Sequence, residues 1–186
     1  MRTALFALTA LMMLCSVGCS TAPSTAAERA ELVQAAQDRL AQFQREHPGS
    51  YEAYTRSAAG IAVFPSVGKG GYILGGLYGK GVVFEDGEVA GYCDITSVTG
   101  GAQVGGQEYS QVIFFENQAT LDEFKRGRIT GTAQATAVAI GADASANAEY
   151  EEGVAVFTFD ANGAMAEAAV GLQDFDFVPA SLYDDN

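Results

Sequence analysis

The chain has 186 residues, 48% hydrophobic and 18% charged, which is enough apolar content for a buried core and argues against a disordered chain. Ten basic against 23 acidic residues give a formal charge of −13, which speaks against a nucleic-acid backbone as the main partner. A single His all but excludes zinc sites built on several imidazoles, and of three Cys one would remain after processing to serve a thiolate site, so neither a metal nor a cofactor is expected.

Residues 1–18 read as an export signal. Arg2 supplies the positive start, and Ala4 to Leu14 is an almost wholly apolar run. A spanning helix needs about 20 apolar residues, and this run is too short for one. At the boundary, Ser16-Val17-Gly18-Cys19 sets a small residue directly before a cysteine. That resembles a bacterial lipoprotein signal, in which Cys19 becomes the lipidated first residue of the mature chain. The pattern usually has Leu three residues before the Cys, and Ser16 stands there. The alternative is ordinary cleavage nearby, with Cys19 incidental. Removal of residues 1–18 leaves nine cations against 23 acids. Cys93 is then the one thiol not used for anchoring, and it reads as a small packed side chain in a strand. Residues 19–24 are expected to form a small, polar tether, and residues 25–186 the folded domain.

Thr25-Ala26-Ala27-Glu28 is a capping box, so a helix is expected to start there. Ala26, Ala30, Val33, Ala36, Leu40 and Phe43 recur at helical spacing, with polar residues opposite, and the helix should end near His47-Pro48-Gly49. Its polar face mixes acids with Arg29, Arg39 and Arg45, which favours packing on its own domain over lying on a membrane. From Gly60 the pattern becomes strand-like. Ile61 to Phe64 is a short buried run stopped by Pro65, and Gly81 to Ala90 is a hairpin turning at Asp86-Gly87. Val112 to Phe115 is another buried strand. Thr120-Leu121-Asp122-Glu123 is a second capping box, opening a short helix closed by Lys125, Arg126 and Gly127. Thr132 to Ile140 alternates Ala with larger residues, Gly141 to Ala148 reads as a loop, and Val154 to Val170 holds a second hairpin turning at Asn162-Gly163. Phe175-Asp176-Phe177 alternates at the end. The expected fold is α+β: an N-terminal amphipathic helix packed on one glycine-rich, mainly antiparallel β domain.

Gly68 to Gly81 does not fit a phosphate loop, because Gly81 follows Lys80 where Ser or Thr is needed and Leu74 stands where the first Gly belongs. Its glycines, Gly76 among them, are expected at sites of bending or close backbone approach. Asp160-Ala161-Asn162-Gly163 superficially suggests a calcium loop, but Ala169 stands where the closing carboxylate belongs. A catalytic triad would have to use His47, which sits beside Pro48 with no nucleophile signature elsewhere, so no catalytic residue is assigned.

The run Ala59-Gly60-Ile61-Ala62-Val63-Phe64-Pro65-Ser66-Val67-Gly68-Lys69-Gly70-Gly71-Tyr72 closely resembles the opening signature of the SYLF-domain family. The likeness continues through Gly75 to Gly81, Gly105 to Phe115, Leu121 to Phe124 and Met165 to Gly171, and is nearest to the exported bacterial branch. It implies a non-catalytic, lipid-binding domain; eukaryotic relatives bind phosphoinositides, and some engage actin. By that likeness Lys69 and Lys80, with Phe64, Tyr72 and Tyr78 beside them, are the lipid-binding candidates. Arg126 and Arg128 join them by charge alone. The chain departs from the family where Gly91-Tyr92-Cys93 stands in place of a Trp, and where Asp174 follows Gln173 in place of a cation. Its acidity opposes anionic membranes, which favours apolar or mixed contact over phosphate recognition. The expected function is lipid or amphiphile binding by an envelope lipoprotein anchored through Cys19, in the outer membrane and facing the periplasm. The alternative is an anchored structural or protein-interaction module without a lipid site.

Overall fold

Thr25 opens the first helix as its sequence requires. Its hydroxyl accepts from the Glu28 amide while the Glu28 carboxylate accepts from the Thr25 amide, so two otherwise free donors are satisfied. The helix, α1 (Ala26–Glu46), stops at His47, and Pro48 at once starts α2 (Pro48–Thr55). The proline suits a first helical position, where its missing N–H costs nothing. Helix α2 was not expected from the sequence. The computed structural model describes residues 21–70, 74–100, 107–128, 150–159 and 173–183. The expected export signal, Cys19, Tyr72, the alternating segment 132–140 and the loop and turn expected at 141–148 and Asn162-Gly163 lie outside them.

Among the described residues six strands follow: β1 (Gly60–Gly70), β2 (Leu74–Glu85), β3 (Glu88–Gly100), β4 (Gln107–Phe115), β5 (Val154–Phe159) and β6 (Asp174–Pro179). They form one antiparallel sheet in the order β5-β4-β1-β2-β3-β6, with α3 (Gln118–Lys125) between β4 and β5. The fold is therefore α+β, and α1 packs on the sheet through Ala36 and Phe43, with Leu32, Val33 and Leu40 at the margin. Asp86 and Gly87 take φ of 52° and 82°, the two left-handed positions a tight β2–β3 turn needs.

Two local readings change. Pro65 does not end β1 but sits in a bulge, where two residues of β1 oppose one on each neighbouring strand. The Pro65 carbonyl accepts from the buried Ser110 hydroxyl at 2.8 Å, and the extra residue returns Val67 to the same face as Phe64. Helix α3 is capped by Asn117, whose side-chain oxygen accepts from the Thr120 amide at 3.0 Å, so the helix starts before the Thr120 box. Its end is as expected, with Gly127 at φ 65°.

Both faces of the sheet are apolar. One bears Val63, Val82, Phe114 and Phe157 beneath Phe43 and Tyr54 of the N-terminal helices. Ring centroids of Phe43 and Phe157 lie 5.0 Å apart. The other bears Phe64, Ile95, Ile113, Phe115 and Phe175 with Leu121 and Phe124 of α3. The sheet curls about this second face, the inner one. Phe64 of β1 meets Phe175 of β6 at 5.9 Å although β2 and β3 lie between, and Gln111 of β4 donates to Gln173 at 3.3 Å.

Curling brings backbones together where a side chain has no room. A Cβ on Gly81 would stand 2.7 Å from the Phe64 ring and 2.8 Å from the Val63 carbonyl, and one on Gly79 would stand 2.8 Å from the Ser66 carbonyl. Gly76 is different: its nearest neighbour would be 3.9 Å away, so the close approach expected there is found at Gly79 and Gly81 instead. Gly81→Ala should destabilise the domain by about 1–3 kcal/mol through overpacking. Gly76→Ala should stay within about 0.5 kcal/mol of wild type. Urea unfolding of the two variants checks the contrast, and equal losses would remove the packing explanation.

Candidate functional site

Beyond the edge of α1 and α2 the outer face of the sheet continues as two polar cross-strand rows. In the first, Ser66, Lys80, Asp94 and Asp176 stand side by side on β1, β2, β3 and β6. In the second, one step further along the strands, Gly68, Tyr78, Thr96 and Asp174 do the same. Tyr78 is 44% exposed, unusual for a large ring among the described residues, and Thr96, Asp174 and Asp176 are exposed with it.

Residues 21–24 reach the first row at Asp94. Thr21 to Ser24 were expected as a tether but are packed against the sheet and the first turn of α1. Ala22 is fully buried in the outer-face cluster and Pro23 is buried beside it. The Arg29 guanidinium donates to the Pro23 carbonyl at 3.1 Å and lies 4.2 Å over the Tyr183 ring, which in turn meets Tyr92. The Thr21 hydroxyl donates to the Asp94 carboxylate. Asp94 is buried, receives the Asp176 amide as well, and keeps one oxygen, Oδ1, without a partner.

Burial pushes the Asp94 carboxyl above the ordinary aspartate range, and the neighbouring Asp176 charge adds to the rise. The Thr21 and Asp176 hydrogen bonds and the Lys80 charge oppose it. Glu85 is held below its usual range, chiefly by its hydrogen bond from Lys125 of α3. The Cys93 thiol is raised by complete burial, in keeping with a packed side chain.

The structure divides the sequence candidates. Phe64 is withdrawn as a lipid contact, because it is fully buried on the inner face against Phe175. Tyr78 and Lys80 come together on the outer face, and Asp94 stands directly beside Lys80. Lys69 contributes backbone to β1 opposite Leu77, while its side chain lies outside the description, as does Tyr72. Arg126 and Arg128 follow α3, which packs on the inner face, so they do not join the Tyr78–Lys80 patch; Arg126 pairs with Asp122 at 3.6 Å. Sequence reasoning missed Thr21, Asp94 and Asp176, because pairing across strands carries no local signal. No helix among the described residues is long and apolar enough to cross a membrane. No protein-family model matches the chain, and no curated protein matches it.

Because the folded protein holds the Asp94 proton to higher pH than the unfolded chain, this group lowers stability progressively as pH rises through the acidic range. Asp94→Asn keeps an acceptor for Thr21 and removes the buried charge. Its melting temperature should exceed that of wild type at pH 7, and the gain should shrink below about pH 4. Thermal melts across that range check the sign; a gain independent of pH would exclude the charge as the cause.

Proposed function

We propose that this protein is an envelope lipoprotein whose SYLF-like domain is a non-catalytic, lipid-facing module held at the membrane through Cys19. One observation supports the family likeness most. The resembling runs 59–70, 75–81 and 107–115 fall on three adjacent strands, β1, β2 and β4, and 121–124 falls on the helix packed beneath them. Motifs scattered in sequence thus form one continuous structural centre.

The charges favour apolar or mixed contact with lipid over phosphate capture. Lys80 stands beside Asp94, Lys125 is paired with Glu85, and Arg126 with Asp122. Cations already facing carboxylates offer little to a headgroup phosphate, and exposed charge is screened over about 8 Å at physiological ionic strength. Tyr78, with an apolar body and a polar tip, suits a membrane–water boundary.

Two measurements test the reading. Cys19→Ala should move the protein from the membrane fraction to the soluble one; an unlipidated wild-type N-terminus by mass spectrometry would refute the anchor. The unlipidated domain should co-sediment with phospholipid vesicles and lose several-fold affinity on Tyr78→Ser, with little change on Lys80→Glu or on added salt. Binding to no vesicle at low salt would leave an anchored interaction module as the better account, and binding abolished by moderate salt would reverse the order of apolar and ionic contributions.

A further inference from the structure

We infer that the docked N-terminal segment holds the domain in one pose, with the Tyr78–Thr96–Asp174 row against the membrane that carries the anchor. The inference rests on acylation of Cys19 and adds to it a surface and an orientation.

The chain is sheet-bound from Thr21, through the Asp94 hydrogen bond, the burial of Ala22 and Pro23, and the Arg29 contacts. Only Ser20 separates Thr21 from Cys19. Two residues reach at most about 7 Å when fully extended, so acyl chains on Cys19 would enter the bilayer close beside Asp94. A long linker would let the domain swing, whereas a link of two residues keeps it within that reach.

The course of the segment sets the direction. Arg29 lies over Tyr183, which meets Tyr92, while Thr21 reaches Asp94, two residues further along β3. The next outward residue on that strand is Thr96, with Tyr78 on one side and Asp174 on the other. Rows two residues apart along a strand are about 7 Å apart, the same length as the reach of the two-residue link. This row is therefore the nearest exposed surface ahead of the anchor among the described residues. Its composition fits a net-neutral headgroup layer: an exposed tyrosine, a threonine and the Asp174 carboxylate, which, with Asp176 in the adjoining row, would be repelled by an anionic one.

The test uses the full, lipidated protein in phosphatidylcholine vesicles doped with a headgroup-spin-labelled lipid. A fluorophore is placed on Thr96→Cys or on Gln44→Cys, the latter exposed near the far end of α1. Cys93 is fully buried and Cys19 acylated, so the added thiol is the reactive one. Thr96→Cys should be quenched several-fold more than Gln44→Cys, and a flexible Gly-Ser insertion of about ten residues between Ser20 and Thr21 should erase the difference. Equal quenching on vesicle-bound, lipidated protein would overturn the pose and leave the anchor intact. Quenching at 96 that survives the insertion would overturn the role of the short link. An unlipidated N-terminus would overturn both pose and anchor.

Discussion

A sheet that is apolar on both faces has to be shielded from water twice, and most of this structure follows from that constraint. The inner face is shielded by curvature: Phe64, Phe115 and Phe175 converge with Phe124 of α3 because the sheet bends far enough to bring distant strands together. The bend needs backbone without side chains at Gly79 and Gly81, and the bulge at Pro65 keeps Phe64 and Val67 on the same side of it. The outer face cannot shield itself and is covered by α1 and α2, with Phe43 at the centre of an aromatic group that includes Phe114, Phe157 and Phe159. Full burial of such a ring is worth roughly 1.5–3 kcal/mol, so the N-terminal helix belongs to the core and is not available for membrane insertion.

The same constraint accounts for the placement of residues 21–24. The helices do not reach the whole outer face, and Ala22 and Pro23 extend the cover to Asp94. A segment used to cover core cannot also serve as a loose leash. In the proposed lipoprotein, anchoring and folding are therefore coupled, and the surface next to the anchor is set by the fold. The acidity of the chain ceases to be an obstacle to membrane association on this view, because the acyl chains supply the affinity while cations such as Lys125 and Arg126 serve internal pairs.

Much of the fold was legible because its signals are local. The Thr25–Glu28 box, the Asp86-Gly87 turn and the Gly127 stop each depend on a few adjacent residues, and the strand alternation depends on a period of two. Pro65 misled because its usual effect is to end a strand; Ser110, 45 residues away, satisfies the carbonyl in the bulge and lets the strand go on. Thr120 misled because Asn117, three residues earlier, caps the same helix. The site was less legible. Phe64 sits in a signature with Lys69 and Tyr72, yet strand alternation turns it inward, and the tether looked like linker because small residues suit both a linker and a tight fit against a sheet. Which of the two applies depends on Asp94, some seventy positions along the chain.

The central claim is that residues 21–24 are part of the folded domain. Steady-state ¹⁵N heteronuclear NOE values on the unlipidated mature protein measure this directly, since they report backbone motion on the picosecond-to-nanosecond scale. The account predicts values at Thr21, Ala22 and Ser24 equal to those of β3. Values near zero or negative at these residues, beside rigid ones in α1, would show a free tail and contradict it.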